Sequence, residues 1–211
     1  MDNTECRVAA VREVGPDTVA IDIETPGDFS ARPGQFVKLT FEVDGDEEPR
    51  FYTISSADVA GTFEITVGID PDGTVAPILA ALTTDDTVTV AGPFGSDYYE
   101  DEPRAVILAG GPGVGPAVGI AERALAEGNE AAIVYQDDAP VHEDRLAGIE
   151  TDGGFVRVLA DGEDLADATA DALAEGGQLF VYGFADFIDA ATAAVESAGG
   201  TTEDAKIENF G

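Results

Sequence analysis

The hydrophobic pattern of this chain changes period once, and that change limits what it can fold into. Up to about residue 96 the apolar residues recur every second position, in "CRVAAVREV", "TVAIDIET", "QFVKLTFEV", "RFYTISSA", "TFEITVGI" and "DTVTVAG". These segments are rich in Val, Ile, Thr and Phe, and "GPD", "PG", "DGDEEP" and "TTDD" separate them as turns. One short helical piece, "VAPILAAL", interrupts the series. Six short strands with such turns predict an antiparallel barrel, of six-stranded Greek-key type. After "SDYYEDEP" the pattern becomes continuous apolar runs alternating with helical spacing. "RAVILAGG", "EAAIVYQ", "FVRVLA", "QLFVYG" and "DAKIENF" read as strands. "PAVGIAERALAEG" and "ADFIDAATAAVESAGG" read as helices, the first with Pro116 at a first helical position and Gly128 at its end. Strands alternating with helices predict a doubly wound parallel α/β sheet. Two domains are therefore expected, over residues 1–97 and 103–211.

Charge narrows the partners. The 211 residues carry 43 acids against 10 bases, a net charge of −33. The acids are spread over periodic segments rather than gathered in one block, so they coat a globular surface. Such a coat suits a high-salt cytoplasm, where repulsion is screened; binding to a basic partner is the alternative. No basic stripe exists to neutralise phosphates, so nucleic-acid binding is disfavoured. The single cysteine, Cys6, allows neither an intrachain disulfide nor a cysteine-ligated iron–sulfur cluster within the chain. His142, the only histidine, lies in "VHEDRL" and is expected to be an exposed polar residue. "MDNTECRV" has no apolar signal region, and the longest uncharged run, Ala105 to Ala121, holds five glycines and two prolines. No membrane span and a cytoplasmic location are expected.

The chemistry-bearing motifs come in a fixed order. "PGQFVKL" is followed by "RFYTISS", "DGTVAPIL", "AGPFG" and "LAGGPGVGP". This succession resembles the ferredoxin–NADP reductase family of flavoproteins over nearly the whole chain. The resemblance implies FAD as cofactor and NADH or NADPH as co-substrate. It implies that Arg50 contacts the FAD pyrophosphate by charge-assisted hydrogen bonds. Phe51 lies in the same flavin-binding strand, Tyr52 stacks on the isoalloxazine ring, and Thr53 places its hydroxyl near the reactive ring nitrogen. Backbone groups of Ile54 and Ser55 face the flavin, while Ser56 supports the loop. Val67, Gly68 and Ile69 run beside the cofactor. Gly73, Thr74, Val75 and Ala76 form a second flavin-binding turn, with Ala76 where the family has serine. "GGPGVGP" resembles the family's Gly-Gly-Thr-Gly-x-x-Pro loop; Gly111, Pro112, Gly113 and Val114 would approach the nucleotide, with Pro112 at the threonine position. "FVYGFADF" stands at the family's Cys-Gly-Pro signature, so Tyr182 replaces the cysteine near the hydride path, Gly183 is kept and Phe184 replaces proline. The closing "IENFG" resembles a Glu-x-Phe ending in which Glu208 and Phe210 approach the flavin. Asp137 and Asp138, at the end of "EAAIVYQ", would accept a bond from a ribose 2′-OH and repel a 2′-phosphate.

The implied function is an FAD-dependent oxidoreductase that moves electrons between NAD(P)H and a separate protein acceptor such as a ferredoxin. Thr53, Tyr182 and Phe210 are the candidate catalytic residues. Two alternatives stay open. One is a flavoprotein electron-transfer subunit that does not use nicotinamide, favoured by Pro112, Tyr182 and Phe184. The other is a non-catalytic binding protein that retains the fold, favoured by Ala76.

Overall fold

The structure, a computed structural model, describes residues 1–211. Six strands form the first sheet: β1 (Thr4–Gly15), β2 (Thr18–Glu24), β3 (Phe36–Val43), β4 (Asp46–Thr53), β5 (Thr62–Gly68) and β6 (Thr87–Phe94). They are antiparallel in the order β4-β3-β6-β1-β2-β5, and helix α1 (Ala76–Ala81) lies in the β5–β6 connection. The connections β2→β3 and β5→β6 each cross over intervening strands, as a Greek key requires. The end strands meet just after β4, where Ile54 bridges Ile65 and the Ser55 N–H donates to the Glu64 carbonyl at 2.8 Å. The sheet thus wraps into a barrel around Val8, Ile21, Ile23, Leu39, Ile54, Phe63, Ile65 and Val90, all buried. Along most of its length β4 pairs only with β3, so its other edge is left to line a cleft.

Two boundaries differ from expectation. "DGDEEP" is not all turn. Val43 pairs with Asp46, and only Asp44 and Gly45 make the hairpin, with φ of 54° and 91°. Two positive φ values are what a two-residue I′ hairpin demands, and Asp-Gly supplies them. The acids from Asp46 to Glu48 then belong to β4, which tolerates Pro49 because it is an edge strand.

The second sheet contains β7 (Arg104–Gly110), β8 (Glu130–Gln136), β9 (Phe155–Leu159), β10 (Gln178–Gly183) and β11 (Lys206–Asn209), all parallel in the order β11-β10-β7-β8-β9. Helices α2 (Val114–Ala126) and α3 (Glu143–Thr151) cover one face; α4 (Leu165–Leu173) and α5 (Ala185–Ser197) cover the other. Both faces being buried, β7 and β8 read as unbroken apolar runs. α2 begins at Val114, so Pro116 is its third residue rather than its first. It ends as expected: Gly128 takes φ 80°, its N–H reaches the Leu125 carbonyl, and the Asn129 N–H reaches Ala124. α3 and α4 escaped the sequence reading because α3 is acid-rich with two buried residues and α4 is short. No helix is long and apolar enough to cross a membrane.

Docking of the two sheets changes the burial that period alone assigns. In β5, alternation puts Phe63, Ile65 and Val67 in the barrel and sends Glu64 and Thr66 to water. Both are buried, at 6% and 7% exposure, because α2 and the start of α3 cover that face.

Candidate functional site

Two cavities stand out, one where the sheets meet and one within the parallel-sheet domain. The first, about 880 Å³, lies between the free edge of β4, the end of β5 and the chain leaving β11. Arg50, Phe51, Tyr52 and Thr53 line one side, Val67, Gly68 and Ile69 a second, and Glu208 and Phe210 a third. Pro112 and Phe184 complete it. The second cavity, about 720 Å³, lies at the carboxyl ends of β7, β8 and β10, with Gly110, Gly111, Asp137 and Phe184 in its wall. In the order 3-2-1-4-5 that these strands follow, β7 and β10 flank the topological switch point, where open α/β sheets bind ligands. Phe184 lines both cavities and packs edge-on against Phe210, centroids 6.2 Å apart.

The first cleft is built by strand geometry. Successive side chains of β4 point to opposite faces, and an edge strand exposes both to the gap beside it. Arg50 holds Glu48 at 3.1 Å and the Pro49 carbonyl at 2.8 Å, with 36% of its side chain exposed. Such a half-exposed pair is weak, on the order of 0–1 kcal/mol, so a stronger anion can replace Glu48. Burial pushes the Tyr52 hydroxyl up to about 12, against the pull of Arg50. Thr53 donates to the Glu208 carboxylate at 3.1 Å. Burial raises Glu208 to about 7; the Thr53 bond lowers it and Asp97 raises it further. A carboxyl that titrates there can hold or release a proton near neutrality.

Several of the expected residues have their groups engaged elsewhere or lie off the cleft wall. The Ile54 N–H donates to the Gln35 carbonyl at 2.8 Å and the Ser55 N–H to Glu64, so neither amide faces the cleft. Both residues are fully buried. Barrel closure consumes those groups before any ligand can. Ser56 does support the loop, accepting from the Glu64 N–H at 3.0 Å. Gly73 and Thr74 lie outside the cleft wall, and Val75 and Ala76 are buried against the barrel. In "GGPGVGP", Gly111 has φ 54° and open space around it. Gly113 is needed for packing instead, since a Cβ there would overlap the Tyr182 carbonyl oxygen; Val114 is fully buried. Gly183 makes room for the Phe187 ring, 2.7 Å from where a Cβ would lie.

Tyr182, expected near the hydride path, lines neither cavity. It is fully buried, stacks on Phe180 and donates to the Asp97 carbonyl at 2.9 Å. Its side chain points away from the strand end into the α2 face of the sheet, toward the link between the domains. His142, expected at the surface, is 4% exposed and caps α3 with φ 57°. Its Nε2 lies 2.7 Å from the Thr66 hydroxyl, which in turn contacts the Ser55 hydroxyl at 2.9 Å. Burial, then Arg145 and Arg12, hold this histidine down to about 3, so it is neutral.

Beside it lies an ionic junction that sequence reasoning missed. Arg145 binds Glu64 of β5, Glu122 of α2 and the Ser55 carbonyl, each at 2.7 Å. Arg12 takes the second oxygen of Glu64, also at 2.7 Å. This junction ties the barrel to the parallel-sheet domain. The second cavity is lined by five carboxylates, Asp137, Asp161, Glu163, Asp164 and Asp186, and by no basic side chain. Asp137 is held there by the Tyr135 hydroxyl at 3.0 Å.

Comparison with known proteins agrees with this architecture. Residues 5–99 match the family model described as oxidoreductase FAD-binding domain. The chain is 29% identical over 130 residues to the toluate 1,2-dioxygenase electron transfer component of Pseudomonas putida, covering 60% of this chain and 38% of that protein. It is 42% identical over 92 residues to the glycine betaine monooxygenase reductase subunit of Chromohalobacter salexigens, covering 42% of this chain and 25% of that one. The chain thus matches well under half the length of these curated relatives. Its fold superposes on a ferredoxin NADP+ reductase from Neisseria gonorrhoeae, solved with bound FAD and NADP, with a TM-score of 0.85 and 19% identity over all of both chains.

Proposed function

We propose that the chain is a flavoprotein reductase of the ferredoxin–NADP reductase-like family, on the strength of the oxidoreductase FAD-binding domain matched over residues 5–99, and that it passes electrons from a reduced nicotinamide nucleotide, through FAD, to a separate protein such as a ferredoxin. The observation that carries this reading is the cleft in which Arg50, Tyr52 and Thr53 face Glu208 and Phe210. Its lining of aromatic rings, hydroxyls and one guanidinium fits a planar ring system joined to a diphosphate. Gly68 adds open wall, since a Cβ there meets nothing within 4 Å. In this proposal residues 1–97 hold the flavin and residues 103–211 the nicotinamide nucleotide. FAD, when bound, supplies the conversion between hydride and single-electron transfer.

The chain's own part is positioning. Arg50 exchanges Glu48 for a diphosphate. Tyr52 offers a neutral aromatic face, and Thr53 orients the Glu208 carboxyl. Glu208 holds a proton at the cleft. Phe184, packed on Phe210, stands between the cleft and the second cavity. The carboxylates there favour NADH over NADPH, because a 2′-phosphate would meet Asp137 with no cation in the wall. A cytoplasmic location is part of the same proposal.

A second reading has one observation in its favour. Five carboxylates and no base in the second cavity are a poor host for any dinucleotide. On that reading the protein carries flavin but takes electrons from another source. An anaerobic visible spectrum before and after NADH or NADPH separates the two. Flavin that bleaches with NADH supports the reductase. Flavin that stays oxidised with both nucleotides supports the second reading. A colourless purified protein that takes up no FAD overturns both.

A further inference from the structure

Between β6 and β7 the chain crosses from the barrel to the parallel sheet, and four of the six residues from Asp97 to Glu102 are acids. This link is held alternately from two sides. Arg32, in the β2–β3 connection of the barrel, reaches the Tyr99 carbonyl at 3.4 Å and the Asp101 carboxylate at 3.3 Å. Lys206 of β11 donates to the Tyr98 carbonyl at 2.6 Å, to Glu100 at 2.9 Å and to Glu102 at 2.5 Å. The two halves are unequal. Arg32 and Asp101 are about half exposed and their bond is long, so that pair is weak. Lys206 and Glu102 are only 14% and 15% exposed, and short bonds between ions in such surroundings are strong.

The strong half is anchored beside the cleft. β11 is a four-residue edge strand paired only with β10. Its register sets Lys206 beside Phe180 and Glu208 beside Tyr182, so the four side chains share one face. The Lys206 ammonium lies 5.3 Å from the Phe180 ring centre and 5.9 Å from that of Tyr98. Tyr182, stacked on Phe180, holds the Asp97 carbonyl at the other end of the link. The link is thus bonded along the β10–β11 face from Lys206 to Tyr182. A short edge strand with one neighbour opens more readily than the core, so whatever ties it down decides whether the carboxyl it carries stays dry.

We propose that Lys206 is a positioning residue for Glu208: by strapping the acidic link to β11 it keeps the Glu208 carboxyl out of water and against Thr53. The proposal rests on the reading above only for the use to which a proton at this carboxyl is put. Thr53 of β4, Tyr182 of β10 and Asp97 of the link face Glu208; Arg50 and Tyr52 share its cleft, and Lys206 its strand. Without Lys206, Glu100 and Glu102 lose their cation, the strap lifts, water reaches Glu208 and Asp97 recedes. Both of the last two changes favour the carboxylate. Loss of the Thr53 bond pulls the other way, but burial is the larger cause. Removing a nearby cation with the geometry intact would also make Glu208 hold its proton more tightly. The sign of the shift therefore separates positioning from direct charge.

The test is carboxyl-carbon NMR of the full chain labelled at glutamate, in about 1 M KCl to screen the altered net charge. The signal missing from Glu208→Gln identifies the residue. In wild type it should titrate at about 7. Lys206→Met and Lys206→Gln should each bring it down by about one pH unit or more, a tenfold weaker hold on the proton. An unchanged or raised titration in these variants overturns the proposal even if their urea midpoints fall, because Lys206 would then be a structural cation only. A wild-type Glu208 that titrates at its ordinary 4.5 overturns it as well. Should Lys206→Met fail to fold, Lys206→Gln, which can still bond the Tyr98 carbonyl, decides the matter. If the titration falls as expected in a protein that takes up no FAD, the positioning role stands and the flavin reading falls.

Discussion

Thr53 and Glu208, 155 positions apart, share a 3.1 Å hydrogen bond across the cleft between barrel and parallel sheet. The bond joins a candidate found in the sequence to a carboxyl whose protonation depends on the fold. Below its ordinary value of 4.5 Glu208 is protonated in both folded and unfolded chains and costs nothing. Between 4.5 and about 7 the unfolded chain ionises while the native one keeps its proton. Stability therefore falls as pH rises through that window and levels off above it, by roughly 2–3 kcal/mol with allowance for partial solvent access. Glu208→Gln cannot ionise and should lack this component. Urea denaturation of both proteins at several pH values checks it; parallel pH profiles would show that Glu208 is not raised.

Arg145 carries the junction between the domains. Arg145→Leu leaves Glu122 without its cation and Glu64 with Arg12 alone. Removing one partner of a largely buried ionic cluster costs about 3–5 kcal/mol. A urea midpoint lowered accordingly, by circular dichroism, is expected. A midpoint unchanged from wild type would mean that the junction adds no net stability.

Two helical glycines should respond with opposite signs. A Cβ at Gly119 of α2 would lie 2.7 Å from the Ser55 carbonyl oxygen, which is backbone and cannot swing aside. Gly119→Ala should destabilise by about 1–3 kcal/mol through overpacking. Gly148 of α3 has nothing within 4 Å of its would-be Cβ. Gly148→Ala should stabilise by about 0.5–1 kcal/mol through helix propensity alone. Thermal melts of both variants decide the matter, and stabilisation by both would sink the close-contact account.

On the proposed reading, Arg50 trades Glu48 for a diphosphate. Arg50→Ala should lower FAD affinity on the order of ten- to a hundredfold, the worth of a charge-assisted hydrogen bond of roughly 1.5–3 kcal/mol. Glu48→Ala removes the competitor, so it should hold FAD at least as tightly as wild type. Fluorescence titration of stripped protein gives both constants, and weaker binding by Glu48→Ala would contradict the exchange.

Salt should matter throughout. The Debye length is about 30 Å at 0.01 M and about 3 Å at 1 M, so repulsion among the excess acids spans the molecule only in dilute buffer. The melting temperature and flavin occupancy are expected to rise from about 0.05 to 3 M KCl. A flat profile with full flavin at the dilute end would favour a basic partner as the reason for the acid coat.

The sequence by itself determined the two architectures and the position of the cleft-lining strand. Alternation in β3 and continuous apolar runs in β7 and β8 are local patterns, and local patterns set strand type and face. "RFYT" was legible for the same reason, as one base beside aromatics and a hydroxyl in a strand. The tertiary structure alone decided what depends on separate segments meeting, within a domain or between the two. It buried Glu64, Thr66 and His142, which a single strand or loop assigns to water. It used the Ile54 and Ser55 amides to close the barrel, and turned Tyr182 inward to Asp97. It brought Glu208 to Thr53 and gathered five carboxylates around the second cavity. These pairings join residues from different segments, and no periodicity within a segment encodes which other surface will cover it.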